Sequence, residues 1–365
     1  MISLPALMVV MAVAASGEAE PPKCDANKTL RLDAVELVAG KQVQGRDDLA
    51  VMHHRFAYHF ANEANRDAFV AHPDQYEIQL GGACGSMGPL SGDGSTSLWA
   101  VHEHRIYVFA SEGCRKKFLN SPDRFIERDQ PVPAASEEFL QRGRQLLARA
   151  VEAHGGAQRI DVITTYTERL SRKVAAGNGA YGVVNTTTWR FPDGVREQEC
   201  WDESCWSHTV AGDTGWTQSR DSVEALHAQQ IDALRRWKGR HPLNLFRSRN
   251  EKDFIAIADG SREPVSISRD EQIEVEWLTI AYRATTTRLG VDSRTGRVCI
   301  MRYQGRGLSS SLDDVQITYS DFHKVNGLTL ANLLAEAGWQ RVPAVRNAHD
   351  VGFEEELARL PERHL

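Results

Sequence analysis

The chain repeats itself. Residues 60–76 (FANEANRDAFVAHPDQY) align without a gap on residues 109–125 (FASEGCRKKFLNSPDRF), a spacing of 49. Phe60, Ala61, Glu63, Arg66, Phe69, Pro73 and Asp74 recur as Phe109, Ala110, Glu112, Arg115, Phe118, Pro122 and Asp123. A repeat of this kind constrains architecture first, because each copy is one supersecondary unit that must bury the same apolar face. In each copy a short alternating stretch ends in aromatics, Tyr58 and Phe60 or Tyr107 and Phe109. A helical pattern follows, with Phe69 or Phe118 on its inner side. Pro73 or Pro122 stops it, since the residue before a proline is kept out of the helical region. Upstream, His54-Arg55-Phe56 and His104-Arg105-Ile106 are read as equivalent positions. The expectation is two ββα halves sharing one core, between a Pro21-Pro22 linker and the DQPVPAAS linker after Arg128.

The rest of the chain has different punctuation. Ser136 opens an amphipathic helix expected over 136–154, with Glu137 and Glu138 at its positive end. Phe139, Leu140, Leu146, Leu147, Ala150 and Val151 recur at helical spacing, and Gly155-Gly156 ends the run. From Val162 onward, alternating segments end in the turn signals FPDG, AGDTG, VDSRTG and KVNG, which read as antiparallel hairpins. One helix is expected to interrupt them, capped by Ser222, with Val223, Leu226, Leu234 and Trp237 on its face and Gly239 at its end. The fold class is therefore α+β, with a small repeated domain over 25–130 and an antiparallel β domain over 131–365.

Net charge is −6 with both signs interspersed, so no basic face announces a nucleic-acid partner. No apolar run is long enough to span a bilayer. Met1 to Ala15 (MISLPALMVVMAVAA), followed by Ser16, Gly17 and Ala19, has the apolar core and small residues of a signal peptide. Residues 1–20 are expected to be that signal, which places the protein in the periplasm or otherwise outside the cytoplasm. Cysteines there meet an oxidising compartment. Cys200 and Cys205 flank a four-residue connection and are expected to bridge. Trp201, Trp206 and Trp216 lie around them, either as sheet aromatics or as the lining for an apolar ligand.

Six of the 13 histidines fall in the first unit: His53, His54, His59, His72, His102 and His104. Imidazole and thiolate suit zinc or copper, and thiolate with thioether favours Cu(I). In a strand His102 and His104 would face one side, with His54 near by pseudo-symmetry. Cys84-Gly85-Ser86-Met87 adds a thiol and a thioether. For Cys84 and Cys114 three readings stay open: a disulfide, a metal site, or unpaired thiols. Gly81-Gly82 reads as a tight turn that positions Cys84, because no phosphate-loop pattern follows. The sequence contains neither GxSxG nor HExxH, so no catalytic residue is assigned and an enzyme is not expected.

The segments LDAVELVAGKQVQG and YHFANEANRDAFVAHPDQYEIQLGGACG, with the second aromatic strand around Tyr107, resemble the YHS (TRASH-like) family over nearly all of residues 30–128. The resemblance implies a small α+β domain associated with copper or other soft metals. Ala34 and Glu36 stand where short members carry a cysteine, and Ala110 replaces the first cysteine of their second motif. The second half resembles, more loosely, the LolA/LolB family through AHGGAQRI, FPDGVR, Thr214-Gly215-Trp216, VDSRTG and YSDFHKVNGLTL. That implies a strongly curved antiparallel half-barrel with covering helices, a cavity able to hold acyl chains, and a lipid or envelope-protein partner. Together they lead to an exported, non-catalytic binding protein. Copper or zinc would sit among Cys84, Cys114, His54, His102, His104 and Met87, coupled to an apolar ligand at Trp201, Trp206 and Trp216. The competing reading is a structural or protein-interaction module with bridged cysteines and no metal.

Overall fold

The computed structural model describes residues 28–176, 179–201, 204–220, 222–267, 271–307, 311–337 and 345–350; the expected signal at 1–20 lies outside them. The first unit runs β1 (Thr29–Leu30), α1 (Ala34–Val38), β2 (Arg46–His53), β3 (Phe56–Phe60), α2 (Glu63–Ala71), α3 (Pro73–Tyr76), β4 (Ser95–His102), β5 (Arg105–Phe109) and α4 (Glu112–Asn120). Each copy of the repeat is thus a hairpin followed by a helix. Asn62 and Ser111 cap the two helices at matched positions, each accepting a hydrogen bond from the backbone N–H three residues on. Phe69 stacks on Tyr58 and Phe60 with centroids 4.6 and 5.1 Å away, and Phe118 repeats this on Tyr107 and Phe109 at 4.9 and 5.2 Å.

Strict alternation along β5 joins the copies. Ile106 and Val108 enter the first copy's core, whereas Tyr107 and Phe109 enter the second. Both hairpins turn over two residues: His53 pairs with Phe56, and His102 pairs with Arg105. The spacing of 49 therefore holds into the turns. His53 matches His102 and His54 matches Glu103, which corrects the equivalence of His54 with His104. His104 lies in the turn at φ 59°, not in the strand, so it does not share a strand face with His102.

The second unit opens with α5 (Glu137–Ala153) and α6 (Ala157–Ile160). The strands β6 (Thr165–Ala176), β7 (Gly179–Arg190), β8 (Gly194–Trp201), β9 (Ser204–Ala211), β10 (Thr214–Gln218) and β11 (Val223–Ala225) follow. Next come α7 (Ala228–Gly239), α8 (Pro242–Ser248), β12 (Ile255–Ile257), β13 (Arg262–Ser266) and β14 (Gln272–Tyr282). The last strands are β15 (Thr285–Asp292), β16 (Val298–Arg306), β17 (Leu312–Val325), β18 (Leu328–Ala337) and β19 (Val345–Asp350). All these strands join one sheet in the order β11-β10-β9-β8-β7-β6-β19-β18-β17-β16-β15-β14-β12, with β13 on β14. Tyr166 and Trp189 from one half of the sheet share a single core with Leu289 and Met301 from the other, and with Leu147 of α5 and Phe246 of α8. One core fed from both halves requires the sheet to bend around its helices.

The interrupting helix starts later than the sequence pattern predicts. Residues 223–225 pair with β10 as a strand, and His227, not Ser222, caps α7. Among the described residues, α8 packs over a cavity of about 30 Å3 lined by Tyr166, Glu168, His241, Phe246 and Tyr319 among others. That is room for about one water, not for an acyl chain. Burial pushes the Glu168 carboxyl up to about 7.

His154, the cap at the end of α5, ties helix to sheet. Its Nδ1 lies 2.7 Å from the Thr329 carbonyl, and its Nε2 accepts from the Val298 N–H at 3.0 Å. Only the neutral ring with its proton on Nδ1 satisfies both, and burial pushes its pKa down to about 4. A depressed folded-state value means that the unfolded chain takes up the proton first as pH falls. Stability contributed by the neutral ring is thus present above the unfolded value near 6.5 and lost toward pH 4, on the order of 3 kcal/mol in all. Urea unfolding at pH 7 and pH 5 checks this: His154→Gln should be less stable at pH 7 and should lose part of the wild type's decline between the two.

Candidate metal centre at the junction of the two units

Three groups converge where the first unit meets α7. The β2–β3 turn brings His53 and His54 together, and the segment after α3 brings Glu77 beneath them. Glu77 Oε2 is 3.0 Å from His53 Nε2 and 3.7 Å from His54 Nε2, and one donor atom from each of the three lies within 4.8 Å of the others. Four ligands about 2.05 Å from a tetrahedral ion stand ~3.3 Å apart, so this spacing needs little adjustment to hold one. Glu77 and His53 are largely buried, whereas the His54 ring is half exposed and gives an entry path.

The second unit supplies a fourth member. His227 Nδ1 accepts a hydrogen bond from the Gln229 N–H at 3.3 Å, so its proton sits on Nε2, which donates to Glu77 Oε1 at 3.1 Å. His227 therefore braces the carboxylate from behind, the arrangement that orients metal-ligating carboxylates. Burial raises the Glu77 carboxyl, but the imidazoles of His227 and His53 outweigh it and hold the group below the usual range. Burial, with His53 and His227 alongside, depresses the His54 ring's pKa against the pull of Glu77.

The junction is built to keep this register. Arg55, next to His54, donates to the Gly81 carbonyl, to Asp93 and to Glu224 across the junction. The Leu80 N–H donates to Gln229, Gln229 Nε2 donates to Gln79 Oε1 at 2.8 Å, and Gln230 Nε2 donates to the Pro89 carbonyl at 2.9 Å. Leu80 and Gly81 both turn through positive φ, 59° and 60°, and a Cβ on Gly81 would stand 2.6 Å from the His227 Cβ. That contact is why glycine is required there.

The repeat supplies an internal comparison. His102 and Glu103 occupy the matching turn, and Asp123 joins them within the same 4.8 Å limit. Here, however, the Arg128 guanidinium lies 2.8 Å from Glu103 and 3.1 Å from Asp123 and holds the Glu103 carboxyl below its usual range. A cation of the protein already neutralises both carboxylates.

The other expected site residues lie apart. Cys84 and Cys114 are unbridged thiols. Cys84 is fully buried beside Phe109 and Phe118, its sulfur accepting from the Ala110 N–H at 3.3 Å. Cys114 sits in the first turn of α4, where Ser111, Ser86 and Cys84 hydrogen-bond its thiol and lower its pKa. Met87 and His104 are exposed, and no imidazole joins either thiol in a ligand group among the described residues. His54 and His102 thus fall in two different clusters, apart from Cys84 and Cys114. Cys200 and Cys205 are bridged across β8 and β9. Trp206 pairs with Glu199 and so shares its face with Trp201, whereas Trp216, paired with Thr209, lies on the other. The three indoles do not line one surface, and carboxylates of Glu197 and Glu199 stand on the face of the first two.

His53, Glu77 and His227 complete the cluster around His54, and sequence reasoning did not assign them. The adjacent His53-His54 pair before a tight turn was a usable signal for the first. Glu77 and His227 carry no local motif.

No family model matches the chain, and no curated protein matches it. Similar solved structures exist for part of its length. A DUF1329 family protein from Desulfovibrio piger is 12% identical with TM-score 0.37, over 59% of this chain and 98% of its own. A LolA superfamily protein from Nitrosomonas europaea is 12% identical with TM-score 0.39, over 60% and 98%. A domain from Vibrio parahaemolyticus that carries the name of an outer membrane lipoprotein-sorting protein is 11% identical with TM-score 0.35, over 58% and 95%.

Two substitutions test the junction. Gly81→Ala should cost roughly 2 kcal/mol or more in chemical unfolding, because it adds both a left-handed penalty and a clash with His227. His54 itself holds φ 50°. His54→Gly should leave stability unchanged or raise it by up to about 1 kcal/mol, as expected where a side chain is kept at a strained position for function.

Proposed function

We propose that this is an exported, non-catalytic binding protein that takes one divalent transition metal at His53, His54 and Glu77. The observation that carries the reading is the convergence of two imidazoles and a buried carboxylate, with the carboxylate's far oxygen held by His227 from the other unit. Neutral imidazole and carboxylate suit Zn(II) or Cu(II) better than Cu(I), which would prefer the thiols. Export is supported by the signal-like start of the sequence and by the Cys200–Cys205 bridge. A YHS-type ancestry for residues 25–130 fits the duplicated ββα order, with the metal moved from the thiol positions to the first turn. An envelope component as partner of the second unit remains part of the proposal.

Calorimetric titration of metal-stripped protein with Zn(II), with elemental analysis of bound zinc, tests the assignment. One equivalent should bind to wild type and to Cys84→Ser and Cys114→Ser. Glu77→Gln and His53→Ala should abolish that equivalent, and His227→Ala should weaken it about ten- to a hundredfold. Zinc bound undiminished by Glu77→Gln, or lost with either thiol, would overturn the reading.

A further inference from the structure

The outer side of the β8–β10 end of the sheet holds a pocket of about 390 Å3, lined by Arg196, Gln198, Ser207, Gln218, Ser219 and Arg220 with Cys205 and Trp206. This volume falls within the roughly 300–1,000 Å3 typical of small-molecule sites. The register builds it. Gln198 and Gln218 both pair with Ser207, so the three side chains form one rung on one face. Arg196, two residues before Gln198, adds the next rung on that face. The Cys200–Cys205 bridge closes the hairpin one rung beyond. Ser219 and Ser222 bond to each other through backbone and side chain, which fixes the bend that presents Arg220.

Among the described residues, the side chains of Arg196, Gln198, Ser207, Gln218 and Arg220 make no hydrogen bond or ion pair, and no carboxylate lines the pocket. Ser207, between Gln198 and Gln218, is only 3% exposed and forms the floor. Elsewhere the arginines are commonly spent on carboxylates, as at Arg55, Arg128, Arg249 and Arg302. Two guanidinium forks, two amides and a hydroxyl that line one pocket with no carboxylate among the described residues suit an oxyanion that can accept several hydrogen bonds at once. Guanidinium geometry matches phosphate in a bidentate manner.

We propose that this pocket binds a phosphate group, with Arg196 and Arg220 as the two clamps and Gln198, Ser207 and Gln218 as neutral donors. The site is separate from the junction metal centre and does not depend on it. The phosphate could belong to a soluble ester or to a lipid headgroup, and two arms distinguish these sources. The full chain is titrated calorimetrically with inorganic phosphate and with glycerol phosphate at constant ionic strength. It is also co-sedimented with phosphatidylcholine vesicles with and without phosphatidic acid. Saturable binding in either arm is expected, weakened roughly ten- to a hundredfold by Arg196→Gln or Arg220→Gln, with thermal unfolding unchanged because neither side chain holds the fold together. Binding only in the first arm assigns a soluble ester; binding only to acidic vesicles assigns a headgroup. Absence of saturable binding in both arms, or equal binding by the double variant, overturns the proposal.

Discussion

A buried carboxylate that belongs to both units organises this molecule. Glu77 lies within reach of His53 and His54 on one side and receives His227 on the other. A charge taken out of water is tolerated only when it is paired and hydrogen-bonded. Glu77 is satisfied in part by His227, the residue that caps α7, with its ring turned toward the first unit. The same junction places Gln229 and Gln230 against the 79–89 segment and leaves no room for a side chain at Gly81. Fold and site are the same contact seen from two directions.

The duplicated hairpin explains how such a site could arise without a new fold. Both copies end their first strand in a histidine and turn over two residues, so each presents an imidazole beside an acidic group. The copies differ in what neutralises the acid. In the second copy Arg128 does so permanently, with a guanidinium that stays protonated. In the first, the partners are imidazoles, which can be neutral ligands. One copy is thus a closed ion pair, and the other a carboxylate among imidazoles, where the metal is proposed.

How much of this could be read in the sequence follows from the range of each interaction. The repeat, the caps at Asn62 and Ser111, the helix after Ser136, the turns between strands and the Cys200–Cys205 bridge are local, and residue pattern specifies them. Turn register was harder: His54 and His104 look equivalent by their neighbours Arg55 and Arg105, and only the pairing of His53 with Phe56 and His102 with Arg105 shows the true match. The start of α7 is not legible in the pattern, because Val223 and Leu226 fit a helical face although Val223 is exposed on a short strand. A helix capped at Ser222 would make His227 a mid-helix residue, whereas it is the cap. Glu77 and His227 meet only through the docking of two units, and no periodicity records such a meeting. Cys84 and Cys114, conspicuous in sequence, pack in the second copy's core, and among the described residues no imidazole joins them in a ligand group.

The central claim concerns ligand atoms, and X-ray absorption at the zinc edge of the loaded protein reads them directly. The account predicts a first shell of nitrogen and oxygen alone at about 2.0–2.1 Å with imidazole outer-shell scattering. A sulfur shell at about 2.3 Å would contradict it and return the metal to Cys84 and Cys114.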